Sequence, residues 1–332
     1  MTTGSSVEPL GVADVAQLGA AVLDEVGRAV VGMSSTLRLA LAAVLAGGHV
    51  LVEDVPGLGK TLAARSLATA LGLGFTRLQC TPDLLPSDVT GSFVFDPATT
   101  SFEFRPGPVF TGLLLADEVN RTPPKTQAAL LEAMQEGQVT VEGRTTRLPV
   151  PFHVLATANP VEYEGTYPLP EAQLDRFLVR VAVGYPDAAQ EAEVLTRRVA
   201  RRAEAADVGP VVDAETLRRM QAGVEQVDVD PDVVDYCVAL AAATRTHSAV
   251  EVGASPRGSL GLLLVSRALA VLDGRGVVLP EDVKQVAPSV LAHRLSLGVQ
   301  TWNGTVTAAS VVADVLRTTP APTTLPTLGR RG

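Results

Sequence analysis

A short apolar strand, a glycine-containing loop and a Lys-Thr pair constrain this chain more than any other feature. In order, they are the strand Val50–Glu53, the loop Asp54-Val55-Pro56-Gly57-Leu58-Gly59, the pair Lys60-Thr61 and a helical pattern over Leu62–Leu71. Backbone N–H groups of such a loop, with the positive end of the helix dipole, bind phosphate groups. Gly57 and Gly59 permit the tight turn, Lys60 reaches the terminal phosphates, and Thr61 ligates Mg²⁺. The pattern predicts a nucleoside triphosphate site.

One loop residue departs from the strict phosphate-loop pattern, which has glycine where this chain has Asp54. A carboxylate that faced the triphosphate would repel it. We therefore expect the Asp54 side chain to face away from the phosphates, at the end of the strand. Taken alone, the Gly-Lys-Thr stretch leaves an ordinary strand–turn–helix open as an alternative.

A second apolar run, Leu113–Ala116, ends in the two acids Asp117 and Glu118. Such a run is typical of a buried parallel strand, although a piece of buried helix has the same pattern. Ligands of open α/β sheets bind outside the carboxyl ends of the strands, which favours the strand. We therefore expect Asp117 to hold Mg²⁺ through water and Glu118 to polarise or orient the attacking water.

Three further residues suit a nucleotide-hydrolysing site. The apolar run Phe152–Thr157 predicts another buried strand, followed by Asn159, whose amide can hydrogen-bond the attacking water or the γ-phosphate. Arg176 stands where a neighbouring subunit's site could use it. Ser255-Pro256-Arg257 provides an N-cap, an N1 proline and an arginine in the first helical turn, so we expect Arg257 to point at the nucleotide from a second domain. Each signal is weak alone, but their order along the chain strengthens them together.

With these segments in place, the chain resembles the AAA+ ATPases and, within them, the MoxR family closely. The resemblance extends from about Val31 to about Leu297. Its most specific stretches are Gly47–Gly57, Thr81–Asp88, Ala116–Arg121, Pro123–Gln127 and Gly165–Phe177. Members of the family also carry Asp at the position of Asp54, so this departure from the strict pattern is shared with them.

The resemblance implies a role for each candidate residue. By this resemblance, Lys60 and Thr61 correspond to the Walker A motif and Asp117 and Glu118 to Walker B. Asn159 corresponds to sensor 1, Arg176 to the arginine finger and Arg257 to sensor 2. The residues implied in contact with ATP are Val31, Gly32, Pro56, Gly57, Leu58, Gly59, Lys60, Thr61 and Leu62, and those implied for Mg²⁺ are Thr61 and Asp117. Many relatives have Gln after the glycine near adenine, where this chain has Met33, so no polar contact from that side chain to the base is expected.

The pattern of strands and helices predicts the domain organisation. The predicted strands are His49–Glu53, Phe75–Gln79, Leu113–Asp117, Phe152–Thr157 and Leu178–Val183. Strands that alternate with helices indicate a parallel sheet with helices on its faces, and the resemblance implies the AAA+ strand order 5-1-4-3-2. We therefore predict an α/β P-loop core over residues 1–187, an all-helical lid over 188–317 and a flexible tail rich in Pro and Thr over 318–332.

Two hairpin insertions are predicted within the core. In the first, Ser92–Phe95 and Ser101–Phe104 flank a turn, and their four alternating phenylalanines could share one face. A centred turn pairs Phe93 with Phe104 and Phe95 with Phe102. The second hairpin covers Gln138–Leu148. The resemblance implies that both elements face the pore of a ring, whereas the alternative is that the phenylalanines pack on the domain as core.

Composition limits the class of partner and compartment. The chain has 332 residues, with 27 Lys and Arg against 36 Asp and Glu, and the net charge of −9 argues against a dedicated nucleic-acid binder. Cys80 and Cys237 suggest neither a disulfide framework nor a zinc site, and the four histidines lack ligand spacing. No signal peptide is evident, and the apolar stretch Leu39–Val52 is too short to span a bilayer. We expect a cytoplasmic protein.

The function that the resemblance implies is Mg²⁺-dependent ATP hydrolysis by a ring, a hexamer, in which a neighbour's Arg176 completes each site. The family acts as chaperone-like maturation factors, often beside proteins with von Willebrand factor A domains. The implied partners are therefore other copies of the chain and a client or adaptor protein. Alternatives are a chelatase-type metal-insertion subunit, a nucleic-acid-stimulated motor, against which the acidic balance argues, and a nucleotide-sensing scaffold.

Overall fold

A computed structural model describes residues 7–55, 57–159, 166–203, 207–298 and 306–323. Pro56 and Gly165, and with them part of the predicted tail, lie outside the described residues. The helices are α1 Val12–Ala29, α2 Ser34–Leu45, α3 Lys60–Ala70, α4 Pro86–Thr90, α5 Pro124–Glu136, α6 Glu171–Leu174, α7 Ala188–Arg201, α8 Ala214–Val224, α9 Pro231–Thr246, α10 Pro256–Leu272, α11 Pro280–Leu291 and α12 Ala308–Thr318. The strands are β1 Val50–Glu53, β2 Phe75–Gln79, β3 Gly91–Asp96, β4 Ser101–Pro106, β5 Leu113–Asp117, β6 Gln138–Val141, β7 Arg144–Arg147, β8 His153–Ala158, β9 Val179–Val181, β10 Val250–Val252 and β11 Ser296–Leu297.

Five parallel strands form the central sheet, in the order β2-β5-β8-β1-β9. Counted along the core strands alone, this is the expected order 5-1-4-3-2, which is thereby confirmed. Because the strands are parallel, their carboxyl ends share one edge. The phosphate loop after β1, the acids at the end of β5 and Asn159 after β8 therefore meet at that edge.

Alternate residues of the central strands are buried in two hydrophobic clusters, one on each face of the sheet. Val50 and Val52 belong to the larger cluster, whereas Leu51 between them belongs to the other. The larger cluster also contains residues of α1, α2 and α3 together with residues of α8 to α12. The helices after the sheet are thus packed against the amino-terminal helices through one continuous apolar core.

The region after the sheet is helical, as predicted, apart from one short antiparallel pair. Strand β10 pairs with β11 through Val250 opposite Leu297 and Val252 opposite Ser296. Strands of two or three residues are too short to produce a readable alternation of apolar and polar residues. The limits of the two domains and of the tail stay a prediction.

Both hairpins form where the sequence predicts them. In the β3–β4 hairpin, Phe93 pairs with Phe104 and Phe95 with Phe102, which confirms the predicted register. The inner pair packs towards the domain, because the Phe104 ring lies 5.5 Å from that of Phe110. At the tip, Phe95 and Phe102 are 49% and 65% exposed. Packing on the domain as core thus holds for the inner pair, whereas the pore-facing position of the exposed tip stays a prediction.

Both cysteines are buried and unpaired, so the absence of a disulfide that the sequence indicated is confirmed for Cys80 and Cys237. Burial raises the pKa of the Cys80 thiol to about 11 and that of Cys237 to about 12. Both thiols are therefore protonated and unreactive near neutral pH. Within the described ranges, no helix combines the length and the apolar character needed to cross a membrane.

Candidate nucleotide-binding site

The phosphate loop is held in place by Asp54 and Lys60. Gly57 and Gly59 adopt φ angles of 87° and 79°, and Gly59 directly precedes the first residue of α3. The Lys60 ammonium donates hydrogen bonds to the carbonyl oxygens of Asp54 (2.8 Å) and Val55 (3.1 Å). Partial burial lowers the pKa of Lys60, while nearby acids oppose that shift. The Lys60 side chain thus bends back over the phosphate loop, where the lysine and the loop N–H groups are expected to bind phosphate.

The Asp54 side chain faces away from the phosphate loop, as expected. One carboxylate oxygen accepts hydrogen bonds from the N–H groups of Val183 and Gly184, each at 2.6 Å, and the other accepts from Val55 N at 2.8 Å. Val183 and Gly184 belong to the connection between β9 and α7. Asp54 therefore ties the beginning of the phosphate loop to the beginning of the helical region.

A cavity of about 260 Å³ lies between the phosphate loop and the carboxyl ends of the strands. Its lining residues are Gly57, Gly59, Lys60, Thr61, Arg77, Asp117, Glu118, Thr157 and Asn159. We call it the phosphate cavity. The structure brings together here the predicted Walker A, Walker B and sensor 1 residues, with two residues that the sequence analysis missed, Arg77 and Thr157.

Thr157 connects the two acids of the phosphate cavity. Its hydroxyl donates to Asp117 Oδ1 at 2.6 Å and accepts from the backbone N–H of Glu118 at 2.8 Å. The other Asp117 oxygen accepts two hydrogen bonds from Arg77, from Nη2 at 2.7 Å and Nε at 3.1 Å. Both oxygens of this nearly buried carboxylate thus have donors, which offsets the cost of desolvating its charge.

Glu118 begins the turn after β5 in the left-handed backbone region, with φ 60° and ψ 49°. This conformation is uncommon for residues other than glycine and is concentrated at functional sites. The Glu118 carboxylate accepts a hydrogen bond from Gln79 Nε2 at 3.2 Å and lies 3.2 Å from Arg121 Nη1. Gln79 on β2 and Arg121 in the turn after β5 therefore fix the position of the Glu118 carboxylate at the rim of the cavity.

A second cavity, of about 460 Å³, adjoins the first, since Gly57 and Gly59 line both. The predicted ATP-contacting residues that line it are Val31, Gly32, Gly57, Leu58, Gly59 and Leu62. Its remaining wall comes from Ala29, Val30 and Met33, from residues 183–186 and from α7. We call it the base cavity, because a largely apolar pocket next to a phosphate site suits a flat aromatic base.

Arg176 and Arg257 line a third cavity, of about 280 Å³, which we call the arginine cavity. Asp175, which precedes Arg176 in the chain, contacts the beginning of α10. Its carboxylate lies 3.9 Å from Arg257 Nη1 and accepts hydrogen bonds from Ser255 Oγ at 3.0 Å and from Arg294 Nε at 2.8 Å. The arginine cavity shares no lining residue with the phosphate cavity or the base cavity. The structure therefore does not bring Arg257 to the nucleotide cavities of its own chain and places it beside Arg176.

Comparison with known proteins agrees with this geometry. The sequence model of the ATPase family associated with various cellular activities matches residues 49–179, and that of the AAA lid domain matches residues 242–315. Chaperone MoxR1 of Mycobacterium tuberculosis is 42% identical over 90% of this chain and 81% of its own length. The chain belongs to the MoxR family of AAA+ ATPases. The uncharacterized protein YeaC of Bacillus subtilis is 47% identical over 92% of this chain and 95% of its own length.

A solved structure extends the likeness of this MoxR-family chain to the whole fold. It is a protein of Cytophaga hutchinsonii, provisionally described as an ATPase. It is 40% identical, superposes with a TM-score of 0.86, and the match covers 92% of this chain and 95% of that one. The core and the helical lid therefore have the arrangement of a solved relative.

The residues of the phosphate cavity fit a magnesium nucleotide. Mg²⁺ prefers oxygen ligands and is usually bound by one or two carboxylates together with substrate phosphates. Thr61 and Asp117 supply the hydroxyl and the carboxylate. In the part of the chain that the structure describes, no group of three or more His, Cys, Asp or Glu side chains could hold a metal by itself. A cation held here would thus depend on phosphate oxygens and water for most of its ligands.

Proposed function

We propose that this MoxR-family chain hydrolyses ATP in a Mg²⁺-dependent reaction. The observation that carries the proposal is the meeting of Lys60, Thr61, Asp117, Glu118 and Asn159 around one cavity that adjoins the base cavity. The adenine would occupy the base cavity and the phosphates the phosphate cavity. Mg²⁺, when bound, would neutralise phosphate charge and orient the γ-phosphate.

Each residue of the phosphate cavity has a separate task in this proposal. Lys60 and the loop N–H groups bind the phosphates, and Thr61 and Asp117 hold the metal. Glu118 orients and polarises the attacking water, for which its position beside Asp117 is suitable, and the amide of Asn159 holds the water or the γ-phosphate.

Two substitutions separate binding from hydrolysis. Lys60→Ala should lose nucleotide affinity, because the phosphates lose their main cationic partner, whereas Glu118→Gln should bind ATP normally and lose turnover. Binding is measured with a fluorescent ATP analogue and turnover by phosphate release. Lys125→Ala, on the exposed surface of α5, is the matched control for loss of a lysine. Normal hydrolysis by the Glu118→Gln protein would overturn the assignment.

We further propose that Arg176 and Arg257 act together on the nucleotide of a neighbouring copy. Their shared cavity is lined by neither the phosphate loop nor the Walker B acids, and Asp175, which precedes Arg176 in the chain, lies 3.9 Å from Arg257 Nη1. An arginine supplied in trans stabilises charge on the transferred phosphoryl group. This arrangement supports a closed ring of copies, for which a hexamer is the expected form, with ATP at each contact between neighbours.

The work done by hydrolysis is proposed to be the remodelling or maturation of a partner protein. Similarity over most of the chain to a protein named as a chaperone, and the net charge of −9, favour this function over a nucleic-acid motor. The client or adaptor would include a protein with a von Willebrand factor A domain. A purified candidate should bind the ATP-loaded Glu118→Gln ring and dissociate with ADP; equal binding in both states would contradict nucleotide-driven remodelling.

A further inference from the structure

Arg77 is the one cation of the phosphate cavity that the proposed reaction leaves without a task. It lies on β2, the edge strand next to β5, where its backbone is paired with Leu115 and that of Gln79 with Asp117. The long side chain therefore extends along the strand by two residues to reach Asp117. Two of its N–H groups bind the same oxygen, Asp117 Oδ2, at 2.7 Å and 3.1 Å.

The pair is asymmetric in exposure. The Asp117 side chain is 12% exposed, whereas that of Arg77 is 46% exposed. The carboxylate is therefore mostly removed from solvent and needs a partner for its charge, while the arginine keeps a free side towards the cavity that it lines.

The charge balance of the phosphate cavity depends on Arg77. Among the described residues that line it, the ionisable ones are Lys60 and Arg77 on the positive side and Asp117 and Glu118 on the negative side. These charges cancel. Without Arg77 the lining would carry a net negative charge, which repels the phosphates of a nucleotide that arrives without metal.

We propose that Arg77 is an internal counter-cation of Asp117 that allows the phosphate cavity to bind nucleotide before Mg²⁺ is present. The inference rests on the proposed nucleotide site and adds a positioning residue to it. Arg77 holds Asp117 in place and offsets its charge, and a metal ion, once bound, takes over the second task. Arg77 therefore determines how strongly nucleotide affinity depends on Mg²⁺.

The test compares the affinity for a fluorescent ADP analogue in EDTA with that in excess Mg²⁺. Arg77→Gln should weaken binding by roughly tenfold in EDTA, because unscreened repulsion from Asp117 then acts at close range, and by only a few-fold in Mg²⁺. Arg77→Lys should lie between, since it keeps the charge but loses the two-pronged contact. A general loss of local structure would change both affinities alike.

Two controls isolate the pair. Arg65→Gln removes the same charge from α3, where the guanidinium lies over the Phe75 ring and outside the phosphate cavity, and should leave the EDTA-to-Mg²⁺ ratio unchanged. In an Asp117→Asn background, Arg77→Gln should weaken metal-free binding less than it does in the wild-type background, because Asp117 no longer repels phosphate and the lining does not become net negative. Circular dichroism verifies that each variant is folded.

The outcomes separate this inference from the proposed function. Binding of ADP by the wild-type protein with an unchanged ratio in Arg77→Gln would overturn the inference and leave the nucleotide site standing. An effect of Arg77→Gln that is as large in the Asp117→Asn background as in the wild-type background would overturn it as well. Failure of the wild-type protein to bind ADP under either condition would overturn the nucleotide site and the inference together.

Discussion

Thr157 is a single hydroxyl on which both Walker B acids depend. It donates to the Asp117 carboxylate and accepts from the Glu118 backbone, so it fixes the side chain of one acid and the turn that carries the other. Removing one partner of a buried hydrogen bond leaves the other unsatisfied, which costs about 1–3 kcal/mol. Although Thr157 lines the phosphate cavity, both hydrogen bonds of its hydroxyl go to the Walker B acids, so its role is to position them.

Thr157→Val keeps the shape of the side chain and removes the hydroxyl. We expect kcat to fall by roughly tenfold or more, with nucleotide affinity nearly unchanged, because the catalytic acids rather than the phosphate loop lose their support. Steady-state hydrolysis and equilibrium binding measure the two effects. Thr157→Ser retains the hydroxyl and should restore most of the turnover. Equal losses in both variants would indicate that the methyl group, and not the hydroxyl, matters.

Because of His49, the stability of the folded protein is expected to depend on pH. The ring is buried between Met134 and Val154, whose backbone N–H donates to Nδ1 at 3.0 Å while Nε2 lies 3.1 Å from Met134 O. Burial, with a smaller contribution from nearby His153, lowers the pKa of His49 to about 4. Because the unfolded chain binds a proton near pH 6.5, stability contributed by neutral His49 is present above that pH and is lost as pH falls towards about 4.

Urea unfolding at a series of pH values measures this effect. Between pH 6.5 and 4 the wild-type protein should lose up to about 3 kcal/mol through His49, in addition to losses shared with other groups. His49→Gln keeps polar atoms at the site but cannot titrate, so its stability should fall less steeply over the same range. Parallel pH profiles for the two proteins would show that His49 is not the titrating group.

The residues that the sequence could reveal are those carried by a contiguous motif. Lys60, Thr61, Asp117 and Glu118 were predicted because strand, loop and acid follow each other along the chain, and each lines the phosphate cavity. Arg77 was missed because its partner lies on a different strand, and neighbouring strands cannot be identified from alternation alone. A charged residue inside an otherwise strand-like segment was the signal that could have drawn attention to it.

At the level of secondary structure, the β3–β4 hairpin has one pair of phenylalanines packed towards the domain and one pair exposed at its tip. The Phe104 ring contacts Phe93 and Phe110, and the Arg144 guanidinium lies 4.9 Å from the Phe93 ring centroid. The Phe95–Phe102 pair at the tip is largely exposed. The base of the hairpin is therefore fixed to the domain, and its apolar tip projects from it.

Substitutions at the two ends of the hairpin should have different effects. Phe104→Ala should lower the free energy of unfolding by about 2 kcal/mol, because it removes partly buried aromatic contacts, whereas Phe102→Ala should change it by less than about 0.5 kcal/mol. Thermal or urea unfolding measures both. A loss at Phe102 as large as that at Phe104 would mean that the tip packs on the domain and is not a free surface.

The register of this hairpin was predictable, whereas the order of the central strands was not. Alternating phenylalanines on both sides of a short turn define which residues lie opposite each other, and the structure has those pairs. The sheet order β2-β5-β8-β1-β9 requires long crossovers whose paths leave no local pattern, so resemblance to known proteins had to supply it. Neither the sequence pattern nor the resemblance predicted the small β10–β11 pair.

At the scale of the whole molecule, the arginine cavity is separate from the phosphate cavity, so the proposed action of Arg176 on a neighbouring copy can be tested by mixing two variants. Arg176→Ala should bind ATP nearly normally and hydrolyse it poorly, and Lys60→Ala should be inactive for lack of binding. When the two are mixed, a copy with intact Lys60 can lie beside a copy with intact Arg176. Random assembly from equal amounts completes roughly a quarter of the sites, so about a quarter of wild-type turnover should return.

Dilution provides the complementary measurement. Turnover per chain should fall as the concentration drops below that needed for assembly, which light scattering or analytical ultracentrifugation measures in parallel. Arg218→Ala, on α8 and outside the arginine cavity, is the control for loss of an arginine and should neither lose activity nor contribute to rescue. Turnover that persists unchanged in a demonstrated monomer, without rescue on mixing, would make Arg176 a structural residue.

The placement of the phosphate and arginine cavities on one chain without a shared residue has a topological consequence. If copies join head to tail, an open row always has two defective ends: one chain presents a nucleotide with no arginines facing it, and another presents arginines with no nucleotide to meet. Lengthening the row moves these ends apart but never removes them. Only closure abolishes them, so removal of one copy from a ring leaves one nucleotide site without arginines and one pair of arginines without a nucleotide.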